Sequence, residues 1–347
     1  MITKLRLKNW KSFKDSTLYI DPLTVLIGVN ASGKSNILDA FDFLKKLFTP
    51  SYSFADAVND IRGGKDWIIR RGETECCLEV FVNEDEKEYI AKIIISKTEN
   101  EIECAVSNDY REIVSKNIQN LFVFNPIPEK MRGYSPVSSE LKPDGSNIAG
   151  VIAALNPEEK EKLEAELTKY VSPLPEKDIK KIQAVTVGLN NSDAMLYCFE
   201  EWNPDKAIDA RGMSDGTLRF AAIVLALLTA KPHSLLVIEE IDNGLHPSRA
   251  KELVKVLKEI SIKRSVDVLC TTHNPTLINE LGGEMIPFIN YVKRDEEGNS
   301  VIELLEEKDN LAKLADKGFE VEIFTGDYGL KYYEPTQKSF PKPRRRQ

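Results

Sequence analysis

Histidine is scarce in this chain, with three residues, and cysteine is sparse, with five. Cys76, Cys77, Cys104, Cys198 and Cys270 are odd in number and contain no C-x-x-C pair. That argues against a disulfide framework or a structural zinc site, and three histidines leave little material for an all-protein transition-metal centre. No apolar run approaches the ~20 residues of a membrane span. The opening MITKLRLKNWKSF alternates charged and apolar side chains and lacks the apolar middle of a signal peptide, so a cytoplasmic chain with no membrane partner is expected. A surplus of positive charge is also missing. The formal net charge of −8 disfavours non-specific coating of DNA, although it leaves room for a local basic surface.

What is present fits a soluble globular protein: 347 residues, 42% apolar and 29% charged, enough for one large or two medium domains. Leu5 and Leu7 alternate with Lys4, Arg6 and Lys8, the pattern of a half-buried edge strand. LTVLI, residues 23–27, is a continuous apolar run of the buried-strand type, and SNILDAFDFLKKLF after it has helical spacing. Residues 74–106 read as a β-meander with Leu78, Val80 and Val82 on one face. The pattern turns helical over about 145–188, opened by Asn156-Pro157-Glu158-Glu159 as cap, first-turn proline and dipole-facing acids. Strand and helix then alternate through LLVI, ELVKVLKEI and VDVLC to a final strand-turn-strand, which argues for a parallel α/β sheet. The basic tail PKPRRRQ is expected to be disordered.

The strongest chemical signal is GVNASGKS, residues 28–35, which fits G-x-x-x-x-G-K-[ST] between an apolar strand and a helix. Glycines let such a loop wrap phosphate oxygens. Lys34 would reach the β- and γ-phosphates, and the Ser35 hydroxyl would bind Mg²⁺. Asn30, Ala31, Ser32, Gly33, Lys34, Ser35 and Asn36 are therefore the expected nucleotide-binding residues. The run LLVI ends in Glu239-Glu240. Carboxylates at a strand end beside a phosphate loop suit a metal and an attacking water: Glu239 for Mg²⁺, Glu240 as general base. VDVLC delivers His273 at a further strand end, where its imidazole would reach phosphate or water. MSDGTLRF, residues 213–220, is a second polar turn opening into an apolar helix, and such a helix start also favours anions.

In order along the chain, LKNWKSF, GVNASGKSN, MSDGTLRF, EEIDNGLHP and TTHNP resemble the motifs of ABC-type ATPase heads of the SMC, RecF and overcoming-lysogenization-defect (OLD) group. That resemblance implies that two heads pair with twofold symmetry. Ser214 and Gly216 of each would then cap the γ-phosphate of ATP held by the other. It also implies a nucleotide-proximal role for Arg62 in DIRGGKDWIIRRG, which matches an arginine-containing loop lying close to ATP and DNA in SMC heads. Lys11 lies near the same entry. There are departures: Asp215 stands for the first signature glycine, Thr217 for the usual glutamine, His246 for an aspartate and Glu239 for an aspartate. No Q-loop glutamine can be placed.

The expected fold is therefore α/β, a P-loop NTPase of ABC-ATPase type, with a mixed sheet, an antiparallel β subdomain and a helical insertion. Its expected division is an N-terminal lobe at 1–130, the insertion at 131–210, a C-terminal lobe at 211–320 and a tail at 321–347. The stretch between the phosphate loop and the signature is too short for SMC coiled-coil arms, and no Toprim nuclease domain is expected after His273. The expected function is an ATP-hydrolysing switch with ATP and Mg²⁺ as cofactors. It would form a homodimer or higher oligomer through an ATP sandwich and act with a separately encoded effector, such as a nuclease, in anti-phage defence or DNA transactions. DNA or RNA stays open as a further ligand. Two rivals are an ATP-locked scaffold with negligible turnover and the nucleotide-binding subunit of a transporter, which the missing Q-loop disfavours.

Overall fold

Three short apolar runs form the heart of the main sheet. In the computed structural model, which describes residues 1–98, 101–107, 110–174, 179–305 and 344, the strands Leu23–Ile27, Leu235–Ile238 and Asp267–Thr271 are buried at every position. Strands covered on both faces need such unbroken runs. They pair in parallel, with Leu26 opposite Thr271 and Ile238 opposite Cys270. In spatial order the eleven-stranded sheet runs Ile102–Val106, Lys87–Lys97, Glu75–Glu84, Ile2–Trp10, Phe13–Tyr19, Ser300–Leu304, Ile289–Arg294, Leu23–Ile27, Asp267–Thr271, Leu235–Ile238 and Leu121–Phe124. Its first five strands are antiparallel and carry the expected meander. Leu78, Val80 and Val82 are all buried.

The chain divides into two compact units that cut across the sequential lobes expected from the sequence. One comprises 1–123, 231–241 and 265–347, and the other 124–230 and 242–264. In the first, the helix Lys34–Leu47 follows the strand Leu23–Ile27 and buries Ile37, Leu38, Ala40, Phe41, Phe43 and Leu44. Phe43 packs against Trp10 with ring centroids 5.6 Å apart. Burial of aromatics of this size dominates the energetics of such a core.

The second unit holds the helices Ile148–Ala153, Pro157–Val171, Asp215–Thr229 and Ala250–Arg264. Asn156 caps its helix as expected, accepting from the Glu159 amide at 2.9 Å. No helix among the described residues is long and apolar enough to cross a membrane.

Two expectations need correction. The strand Ile2–Trp10 alternates as read, but it lies inside the sheet between Phe13–Tyr19 and Glu75–Glu84 rather than at an edge. Alternation reports which face is buried, not whether a distant strand will pair. The insertion is helical only to Val171. Ile179–Val187, Asp193–Glu200 and Asn203–Asp209 are strands of a separate antiparallel sheet with Ser135–Pro136. In IKKIQAVTV, β-branched residues and burial of Ile179, Ile182 and Ala184 favour a pleated strand. The tail expected to be disordered lies outside the described residues except for Arg344. Its guanidinium donates to both Asp267 carboxylate oxygens, at 2.6 and 2.9 Å, and to the Ile20 carbonyl at 2.9 Å.

Candidate functional site

The parallel registers of the first unit put three loops at one end of the sheet. Leu26 is level with Thr271 and Cys270 with Ile238, so Gly28, Glu239 and His273 all follow the carboxyl ends of adjacent strands. Open α/β sheets bind ligands at that end. The phosphate loop is shaped by positive-φ residues, with φ of 61° at Ala31 and 118° at Gly33. A Cβ on Gly33 would stand 2.3 Å from the Ser300 hydroxyl oxygen. Asn30 and Ala31 are exposed on the crest of the loop, whereas Ser32 and Gly33 are buried beneath it.

The loop's side chains converge on the acid pair. Lys34 Nζ donates to the Gly28 carbonyl at 2.6 Å and the Val29 carbonyl at 3.1 Å, inside the curl of the loop. Burial pushes its ammonium pKa down, opposed by Glu240 and Glu239. The Ser35 hydroxyl donates to Glu239 Oε1 at 2.6 Å. Arg62 faces the same carboxylate, with Nη1 and Nη2 each 3.2 Å from Oε1. Its Nε donates to Asp39 Oδ1 at 2.8 Å, and Lys11 Nζ donates to Asp39 Oδ2 at 2.6 Å. A chain of alternating charge thus runs from Lys11 through Asp39 and Arg62 to Glu239. Such networks fix side-chain geometry because each member is held by two neighbours. Burial pushes the Lys11 ammonium down, with Asp39 opposing.

Glu240 adopts φ 46°, with its amide donating to Thr271 Oγ1 at 2.8 Å. This turns the chain sharply after the strand. His273 is exposed one strand away. The first unit therefore brings together Lys34, Ser35, Arg62 and Glu239, with Glu240 and His273 at the same sheet end.

Ser214 and Gly216 belong to the second unit. Ser214 is the N-cap of Asp215–Thr229, accepting from the Thr217 amide at 3.1 Å, and is itself exposed. Gly216 is buried, and a Cβ there would lie 2.7 Å from Arg249 Nη1 and 3.0 Å from the Gly244 carbonyl oxygen, so the Arg249 guanidinium would have to shift to admit it.

Residues 1–125 match a family model described as "AAA ATPase domain", and residues 152–279 match one described as "AAA domain, putative AbiEii toxin, Type IV TA system". Solved structures extend the likeness across both units. An SMC head domain from Thermotoga maritima superposes with a TM-score of 0.54 at 16% identity, over 87% of this chain and 98% of that one. The fold is that of an SMC head domain. An Smc head domain from Pyrococcus furiosus, with an extended coiled coil and bound to the C-terminal domain of ScpA, gives 0.58 at 15% identity, over 91% and 99%. A further SmcHead bound to the C-winged helix domain of ScpA gives 0.60 at 17%, over 87% and 96%. No curated protein matches the chain in sequence.

Several residues of this site carry no motif of their own in the sequence. Asp39 carries the charge chain, and its only signal was an acid inside the apolar run NILDAFDF. Ser300 donates to the Ser32 carbonyl at 2.5 Å and lies 2.7 Å from Ser12 Oγ. Arg294 donates to the Ala31 carbonyl at 3.1 Å. Neither Ser300 nor Arg294 has a local signature, because the strand pair bearing them reaches the loop only through the sheet order.

Proposed function

We propose that this head binds Mg-ATP at residues 28–36 and hydrolyses it, and that ATP joins two copies by placing each signature turn on the other's nucleotide. The observation that supports this best is the meeting of Ser35 with Glu239 at 2.6 Å, two oxygen donors from distant motifs set side by side at the mouth of the phosphate loop. Hard oxygen ligands of this kind suit Mg²⁺, and Ser35 and Glu239 would hold it. Bound there, the ion would neutralise phosphate charge. Among the described residues no cluster of three or more His, Cys, Asp and Glu side chains forms another metal centre.

The chain's own residues take the remaining roles. Amides of the loop and the start of the helix Lys34–Leu47 orient the phosphates. Lys34 transfers its donors from the Gly28 and Val29 carbonyls to phosphate oxygen. Glu240 accepts the proton of the attacking water, and His273 donates a hydrogen bond to phosphate or water. Arg62, already aimed at this corner, steadies added negative charge. Ser214 and Gly216 present the N-terminus of Asp215–Thr229 to the neighbouring copy's nucleotide, and a twofold pair needs both halves on one chain. The output would pass to a separately encoded effector, in defence or DNA transactions. The match to a toxin–antitoxin domain description and the ScpA partners of the Smc heads support a protein partner.

The test is the solution mass of a Glu240→Gln variant by light scattering, with and without Mg-ATP. Doubling with ATP, lost on Ser214→Arg, is expected, together with phosphate release by the parent chain that Glu240→Gln lacks. A mass indifferent to ATP would reject the ATP-driven pairing. Phosphate release equal in the two proteins would reject hydrolysis by this site.

A further inference from the structure

Arg132 follows the short helix Pro128–Met131 and belongs to none of the motifs. Its Nη1 donates to three carbonyls, Ala210 at 3.1 Å, Arg211 at 2.8 Å and Met213 at 2.9 Å, while Nη2 pairs with the Asp215 carboxylate. One guanidinium therefore holds the whole run that leads into the signature helix. On the other side of the turn, Arg249 Nη2 donates to Thr217 Oγ1 at 3.2 Å. Deeper in the helix, buried Arg219 donates to the Pro126 carbonyl at 2.5 Å, tying the segment that carries Arg132 to the same helix. Between these grips, Ser214 remains exposed at the tip.

We propose that Arg132 is the positioning residue of the signature turn. Its planar fork fixes residues 210–215 so that Ser214 and the helix N-terminus are set for an anionic ligand before that ligand arrives. The proposal rests on the reading that this turn caps a second copy's ATP. The physical reason is specific to arginine. A guanidinium presents several donors in one plane, so it can serve three carbonyls and a carboxylate together, whereas a lysine ammonium is a compact point charge on a flexible stem. Asp215 supplies the charge that makes the clasp strong. Without it, the exposed residues Arg211, Gly212, Ser214 and Asp215 would have to be ordered at the moment of binding, and that ordering subtracts from affinity.

The experiment compares Arg132→Ala, Arg132→Lys and Asp215→Asn in the Glu240→Gln background. The readouts are amide exchange over residues 213–218, ATP binding by the chain's own phosphate loop, ATP-driven association, and melting temperature. Both Arg132 variants are expected to speed exchange at the Thr217 and Leu218 amides and weaken association by about tenfold, the scale of a lost charge-assisted hydrogen bond. Affinity for ATP in the monomer should stay within about twofold. Asp215→Asn, on an exposed side chain, should move both readouts in the same direction and serves if Arg132→Ala does not fold. Unchanged exchange would overturn the proposal, as would association unchanged despite faster exchange. A lysine variant equal to wild type would also overturn it, since charge alone would then suffice. Faster exchange in a protein whose parent never associates with ATP would keep the clasp and reject the pairing mechanism instead.

Discussion

At the scale of single residues, two glycines state the demands of the site most sharply. Gly33 caps the phosphate-loop helix from the left-handed region, and its missing side chain leaves room for the Ser300 hydroxyl. Gly33→Ala would combine an unfavourable φ with a collision, and should cost about 1–3 kcal/mol of stability. Urea unfolding should show the lowered midpoint with an unchanged slope, and a midpoint within error of wild type would mean the loop relaxes freely. Gly216 is constrained differently, by neighbours rather than by φ. The sequence motif showed that glycine belongs at both positions. It did not show that Ser300 and Arg249 are the groups occupying the space, because those partners lie 267 and 33 positions further along the chain, as the residue numbers give.

At the scale of elements, what was legible followed burial. Runs such as LTVLI, LLVI and VDVLC cannot be solvated, so their strands were plain in the sequence, as was the phosphate loop between the first of them and its helix. The strands after Ile179 were not, since residues 145–171 carry a real helical signal and the change of period at 179 is local and short. The strand Asp267–Thr271 carries a titratable surprise at its start. Burial pushes the Asp267 carboxyl up to about 6, with the Arg344 guanidinium pulling it back. An acid whose folded pKa is raised contributes stability in full below its unfolded pKa near 4, and that contribution is lost as pH rises through about 6. Asp267→Asn should therefore flatten the dependence of melting temperature on pH between 4 and 7. An unaltered slope would show that other groups set it.

At the scale of the whole molecule, nucleotide binding should be visible as stability. A ligand held only by the folded state raises unfolding free energy by about 2.7 kcal/mol at a hundred times its dissociation constant. Mg-ATP should accordingly raise the denaturant midpoint of this chain, and Lys34→Ala should abolish the rise. A rise that survives in Lys34→Ala would place the nucleotide somewhere other than the phosphate loop. The candidate site was readable from the sequence as a set of separate motifs. Their union was not, because adjacency at one sheet end depends on strand order, which no local pattern encodes.

Ser35 and Glu239 touch although 204 residues separate them in the chain, and Ser12 and Ser300 although 288 do. Contacts of such long range form late, after the intervening loops have closed. A chain still on the ribosome carries a phosphate loop long before it has an acid pair to complete it. On the proposed reading, chemistry on ATP would be reserved for chains in which the acid pair has already reached the phosphate loop.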